Sequence, residues 1–352
     1  MILGLPVGSR GSLAWEWRRT VDPQVPGSNP GRGTTRILTT FKAINMKVIP
    51  LASESLGVRS LALFLKIGKV GILIDPGVAL GPKRYALPPA QAEMKALSLA
   101  REKIQEYAKK AQIVTISHYH YDHHTPFFEG IYESSSVEKA REIYAGKLLL
   151  IKHPTENINN SQKKRAHEFL KNAKEIAKDI KFADSQSFDF GSFTIEFSPP
   201  VPHGREGSKL GYVLMVLVDD GKKSVLHASD TQLINDKAVE WIIEKNPDIL
   251  IAGGPPTYLA HRVGNVKEIG MKNINRIISE TNAKIVLDHH IIRDKGYERF
   301  FSELDERPLT FAEFLGKESA PLEAYRRELH KLEKGEEVEV PGGIKKFLKG
   351  LK

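Results

Sequence analysis

Five apolar, β-branched runs in this 352-residue chain stop on or just before an aspartate or a histidine. They lead into Asp75, into a cluster that begins at His118, into His203, into Asp230 and into His289-His290. A run such as Ile113-Val114-Thr115-Ile116 is apolar at consecutive positions, which suits a strand covered on both faces. Carboxyl ends of strands are where sheet proteins collect their active-site loops. Residues far apart in the sequence can therefore meet at one edge of the fold.

The densest of these stretches is His118-Tyr119-His120-Tyr121-Asp122-His123-His124. A lone histidine is usually a surface or core residue, but four with an aspartate in seven positions point to metal ligation. Imidazole and carboxylate are the ligands that zinc, iron and manganese accept without a thiolate. The chain has no cysteine, so every ligand must be His, Asp or Glu, and a disulfide framework, a thiolate zinc site and a cysteine nucleophile are excluded. His118 and His120, two apart, point the same way in an extended backbone. Asp122 and His123 are placed to face a second ion across the turn.

Taken in order, the periodicity predicts strands at 48–51, 60–67 and 71–77, with Lys66-Ile67-Gly68-Lys69 as a hairpin, and a helix over 90–111 behind Pro88-Pro89. A helix at 137–144, a strand at 147–152 and a helix at 161–180 follow. Strands at 192–198, 210–218 and 224–231 come next, then a helix at 238–245, a strand at 248–252, a helix at 265–281 and a strand at 284–290. The chain closes on a charged helix at 321–334 and a Lys-rich tail, read as a solvated end.

Of 52 Lys/Arg and 43 Asp/Glu, six and two fall in residues 1–45, leaving 46 and 41 from Met46 onward. The basic excess of the body is mild and reads as a solvated surface. Abundant Lys and Glu without Cys suits a thermophile. Residues 1–45 are rich in turn formers without periodicity and are expected to be a disordered arm. Gly27-Ser28-Asn29-Pro30 is also what the T-arm of a transfer RNA gene gives when translated. Met46 therefore reads as the natural start, with a basic targeting or RNA-binding arm as the alternative. No apolar run is long enough for a membrane span and no signal peptide is visible, so the sequence predicts a cytoplasmic protein without a membrane partner.

In order, Asp75, His118-x-His120-x-Asp122-His123, His203, Asp230 and His289 match the five motifs of the metallo-β-lactamase superfamily. The chain from Met46 to about Pro308 resembles that superfamily, and within it an uncharacterised archaeal group. The resemblance implies an α/β fold, a four-layer αββα sandwich over 46–318, followed by a C-terminal helix and basic tail at 319–352. It implies two divalent ions at the rim, zinc first and iron or manganese otherwise. His118, His120 and His203 would hold one, Asp122, His123 and His289 the other, and Asp230 would bridge them. Asp75, His227, His290 and Arg293 would stand behind the ligands, His227 alternatively as a packed strand residue. Because neighbours on a strand face opposite ways, only one of His289 and His290 is expected to reach the ions; His289 is preferred, with His290 the alternative.

Two divalent ions against two ligand carboxylates and a bridging hydroxide leave a site of about +1, suited to an anionic transition state. The expected reaction is hydrolysis of a phosphodiester or similar anionic ester, with a metal-bridging hydroxide as nucleophile and Asp122 and Asp230 as the catalytic carboxylates beside it. A thioester or lactone hydrolase is the alternative, and a metal- or nucleic-acid-binding protein without turnover the third reading. The expected partner is a small anionic substrate; self-association is compatible with the sequence, and nucleic acid is less favoured. The gaps from His203 to Asp230 and from Asp230 to His289, 27 and 59 positions, leave no room for a clamp domain. Leu56-Gly57-Val58-Arg59-Ser60 and Arg293 nevertheless resemble the transfer-RNA-processing nucleases. His124-Thr125-Pro126 replaces the usual Gly-Gly after the histidine cluster, a departure at the pocket wall.

Overall fold

Side-chain alternation decides the architecture. In the strand Leu61–Ile67, Leu61, Leu63, Leu65 and Ile67 enter one apolar cluster while Ala62 and Phe64 enter another. Residues two apart share a face, so a strand apolar in both sets must lie between two apolar layers. The strand Val70–Ile74 divides in the same way, Ile72 and Ile74 against Leu73, and Ile113–Ile116 sets Ile113 against Val114 and Ile116.

The computed structural model describes residues 46–351. The expectations for residues 1–45 lie outside the described residues. The first sheet runs β1 (Lys47–Ser53), β2 (Leu61–Ile67), β3 (Val70–Ile74), β4 (Ile113–Ile116), β5 (Leu148–Ile151) and β6 (Asp179–Phe182) in spatial order. It is antiparallel from β1 to β3 and parallel from β3 to β6. The second half supplies β7 (Ser187–Asp189), β8 (Thr194–Phe197), β9 (Val201–Pro202), β10 (Tyr212–Val213), β11 (Val216–Asp219), β12 (Ser224–His227), β13 (Ile249–Ala252) and β14 (Lys284–Leu287). Its sheet is ordered β14-β13-β12-β11-β8-β7, and β9 and β10 form a separate ribbon.

Three apolar clusters fill the spaces. One joins the outer face of the first sheet to helices Gln91–Ala108, Val137–Tyr144 and Asn160–Ile176. One lies between the sheets, with Leu63, Ile72 and Leu150 against Ile195, Val216, Val225 and Ile249. The third joins the second sheet to helices Asp236–Lys245 and Val266–Glu280. Helix, sheet, sheet, helix is the expected αββα order. No helix among the described residues is long and apolar enough to cross a membrane.

Where the structure departs from the sequence reading, the reason is local. The helix expected to reach residue 180 stops at Ile176, and Asp179–Phe182 becomes edge strand β6, largely exposed and charged as edge strands are. The strand expected over 210–218 is two, because Leu214 N–H leaves the ribbon and donates to the Ser117 carbonyl (3.0 Å). The Lys-rich tail is not a loose end: Gly342–Lys349 is a helix with Ile344 fully buried. A Cβ on Gly343 would lie 2.1 Å from the Ser319 carbonyl oxygen, so only glycine lets this helix pack so closely.

Two ion pairs fasten the C-terminal segment. Arg326 holds Glu93 through two 2.8 Å hydrogen bonds, both side chains fully buried. Arg59 holds Glu323 through two of 2.6 Å. Burial alone would raise the Glu323 carboxyl, but Arg59 outweighs it and brings the pKa down to about 2. A carboxylate depressed in the folded state stabilises it above the unfolded pKa, and that contribution disappears as pH falls from about 4.5 toward 2. Acid titration of stability, followed by circular dichroism, should lose on the order of 3 kcal/mol through this pair in that window. In Glu323→Gln that component should be missing, and an unchanged acid limb would refute it.

Candidate metal centre

Each ligand-type residue stands just past the end of its strand. β3 ends at Ile74 before Asp75, β4 at Ile116 before His118, β9 at Pro202 before His203, β12 at His227 before Asp230, and β14 at Leu287 before His289. Three of these turns use a left-handed residue other than glycine: Asp75 at φ 48°, Ser229 at φ 47° and His289 at φ 55°. Such conformations cost about 1 kcal/mol or more and persist where surrounding contacts enforce them. For Asp75 those contacts are plain: its carboxylate accepts from Ser117 N–H (2.8 Å), Ser117 Oγ–H (2.5 Å) and Ser229 Oγ–H (3.2 Å). It thereby ties the end of β4 to the end of β12. Gly77 has to be glycine for the same assembly, since a Cβ there would lie 2.3 Å from the His123 nitrogen.

His118, His120 and His203 converge with Asp230, and Asp122, His123 and His289 form a second group, the ligand atoms within each lying within 4.8 Å of one another. Asp230 spans the two. Its Oδ2 is 3.0 Å from His203 Nε2 and 3.7 Å from His118 Nε2, while its Oδ1 is 3.2 Å from His123 Nε2 and 3.4 Å from His289 Nε2. The geometry thus brings together the seven residues expected as ligands. The strand stops at Ile116, however, so a tight loop and not strand alternation brings His118 Nε2 to 3.0 Å from His120 Nδ1.

The rings are turned by what their other nitrogens touch. His123 Nδ1 lies 2.9 Å from Asp75 Oδ2 and His289 Nδ1 lies 2.7 Å from Glu54 Oε2, so both Nε2 atoms face the cluster. Carboxylates behind histidines fix tautomer and orientation in this way. Arg293 Nε donates to Glu54 Oε1 (2.5 Å), and its Nη2 comes within 3.6 Å of Asp122. Glu54 was not singled out in the sequence. Its only signal is an acidic residue between Ser53 and Ser55 in an otherwise apolar stretch. His227 is a packed strand residue, with Nε2 donating to the Leu61 carbonyl (2.9 Å). His124 donates from Nδ1 to the His120 carbonyl (2.9 Å), and Thr125 donates to the Pro76 carbonyl (2.6 Å) while accepting from buried Arg101. The His124-Thr125 departure therefore anchors the ligand loop from beneath.

The donor set fits cations. Burial holds His118 and His290 well below the usual imidazole range, and with His203 beside it brings His120 down to about 3. Burial also works against charging His289, but Glu54 and Asp230 carry it up to about 9; Asp230 and Asp75 raise His123 likewise. Two imidazoles thus favour their charged form where three carboxylates, Glu54, Asp75 and Asp230, demand positive charge. Asp230 Oδ1, the atom that faces His123 and His289, is buried without a hydrogen-bond partner. Buried polar atoms are rarely left so, and a divalent ion supplies both the partner and the charge while releasing the protons.

His289 and His290 both approach Asp230, His290 Nε2 at 3.2 Å from Oδ2. The strand argument for choosing between them does not apply, because β14 has ended and His289 is left-handed. What separates them is support: His289 is braced by Glu54, whereas neither ring nitrogen of His290 has a hydrogen-bond partner among the described residues. His289→Ala should lower bound metal by about one equivalent per chain, whereas His290→Ala should retain its metal, as measured by elemental analysis. Loss from His290→Ala alone would reverse the assignment.

The description of the beta-lactamase superfamily domain matches residues 71–291. The UPF0282 protein of Pyrococcus abyssi is 82% identical over 306 residues, 87% of this chain and 99% of that protein. That of Pyrococcus furiosus is 76% identical over the same shares. Among solved structures the chain is similar to Tm1679, described as a metal-dependent hydrolase of the beta-lactamase superfamily, at 13% identity and a TM-score of 0.43, over 76% of this chain and 96% of that one. On the matched domain and on relatives this similar along nearly their whole length, the chain belongs to the beta-lactamase superfamily and, within it, to the archaeal UPF0282 group.

Proposed function

We propose that the chain is a dinuclear metal-dependent hydrolase of a phosphodiester or similar anionic ester. The observation that carries this reading is Asp230, whose two oxygens face two separate histidine groups at the floor of one cleft. Divalent ions held by the two groups would supply Lewis acidity, a water acidified toward neutrality and positive charge for an anionic transition state.

The chain's own side chains prepare the rest. Asp75 and Glu54 fix the rings of His123 and His289, so that no reorientation is needed when substrate arrives. The cleft, of about 430 Å³, is walled by Arg59, Arg165 and Arg293 around His120, Asp122, His203 and Asp230. Glu323 and Glu54 hold Arg59 and Arg293 in place, and Arg165 sits over the Tyr121 ring, 4.4 Å from its centroid. Glu133 shares this wall with the three guanidinium groups. In hydrolysis a water oxygen bonds to the phosphorus, the ester P–O bond breaks, and the departing oxygen takes up a proton.

The test is metal stoichiometry by mass spectrometry followed by phosphodiester, thioester and lactone substrates on one preparation. Two equivalents of metal with preference for the phosphodiester supports the reading. One equivalent, or preference for the thioester or lactone, overturns it.

A further inference from the structure

The cleft does not end at the metal cluster. A second lobe of about 490 Å³ adjoins the first, and His203, Leu210, Gln232, Pro256 and Leu259 line both. Its walls are apolar, with Ile234 and Val266 added to Leu210, Pro256 and Leu259, and no carboxylate lines it among the described residues. Among the described residues its lining has one guanidinium, that of Arg205.

Arg205 differs from Arg59 and Arg293. No carboxylate pairs with it among the described residues, and its Nε is buried without a hydrogen-bond partner. Its Nη2 donates to Asn265 Oδ1 (3.1 Å). Asn265 stands at the N-cap of helix Val266–Glu280, where its side chain would ordinarily accept from the first turn, but it makes no such bond. A helix start without a side-chain cap, though with its Val266 N–H taken by the Gly264 carbonyl (2.7 Å), a guanidinium without a carboxylate partner among the described residues and an apolar trough thus coincide in one lobe. Helix N-termini favour anions through their free N–H groups and dipole, and the guanidinium adds charge and directed donors.

We propose that this lobe seats the half of the substrate distant from the scissile bond, and that this half is an apolar chain ending in a second anionic group, carboxylate or phosphate. The inference rests on the hydrolase reading, which puts the scissile ester at Asp230. It adds a demand on the substrate: one end at the metal cluster, an apolar span over the ridge of His203 and Gln232, and a charge at Arg205.

Calorimetric titration of the metal-loaded full chain with hexylphosphonate, 6-phosphonohexanoate and 1,6-hexanediyl bisphosphonate separates the possibilities. The phosphonate common to all three reports on the metal cluster, and the far end reports on the lobe. At least one of the two charged-end compounds should bind about tenfold more tightly than hexylphosphonate, as one charge-assisted contact gives; the better of them identifies carboxylate or phosphate. Arg205→Ala should abolish that advantage while leaving hexylphosphonate affinity unchanged. Arg205→Gln, which keeps a donor near Asn265, should show the same loss. Equal affinity for all three compounds in the wild type, or an advantage that survives both variants, overturns the lobe assignment and leaves the hydrolase reading standing. If none of the three binds, the hydrolase reading falls first and the lobe assignment with it.

Discussion

Asp230→Ala should retain no more than half of the wild-type metal and lose phosphodiester turnover by at least about a thousandfold. The argument is electrostatic. Among the described residues Asp230 is the one carboxylate whose two oxygens reach both histidine groups, and it is fully buried. Without it two divalent ions would face one another across a dry space with only Asp122 to offset them, and repulsion at such distances inside a protein is severe. The same deletion returns His203, His123 and His289 to an arrangement in which ring nitrogens confront one another without a shared partner. Asp230→Asn, equal in size, separates charge from volume and should lose metal to a similar degree. Two full equivalents of metal with normal turnover in the alanine variant would falsify the dinuclear assignment.

The largest stability effect is expected far from the site, at Arg326. Truncation to methionine leaves Glu93 fully buried with only the Ala90 N–H (2.9 Å) for company. Burial already lifts that carboxyl above its usual range despite Arg326. Breaking a buried pair on one side costs about 3–5 kcal/mol, which for a chain of this size lowers the melting temperature by on the order of 10 °C. Replacing both partners, Glu93→Leu with Arg326→Met, should restore most of the loss, since an apolar pair of similar volume is often neutral. A single variant that melts with the wild type would show that the C-terminal segment is held by its apolar contacts alone.

The candidate ligands were legible in the sequence because their chemistry is concentrated and their setting repeats: an apolar run, then a histidine or aspartate. The layers were legible from consecutive apolar positions in β2, β4 and β13, where both faces are covered. Other features had no local signature. Glu54 meets His289 across 235 positions of chain, and nothing around Ser53-Glu54-Ser55 announces that contact. β6 carries charged residues at an exposed edge and reads as more helix. Strand alternation cannot choose between His289 and His290, because β14 stops at Leu287 and a single left-handed residue then sets where both rings go.

Because the centre is divided between the two sheets, it also has an order in time. His118, His120, Asp122 and His123 leave the ribosome with the first sheet, and His289 follows His123 by 166 positions. At about 5–20 residues per second that interval is roughly ten to thirty seconds. For the first 107 of those positions the nascent chain carries half a chelating site, with Asp75, His118 and His123 already able to gather and Asp230 not yet made. Closure of the centre and docking of the second sheet are then one event, and the last strand to be synthesised completes both.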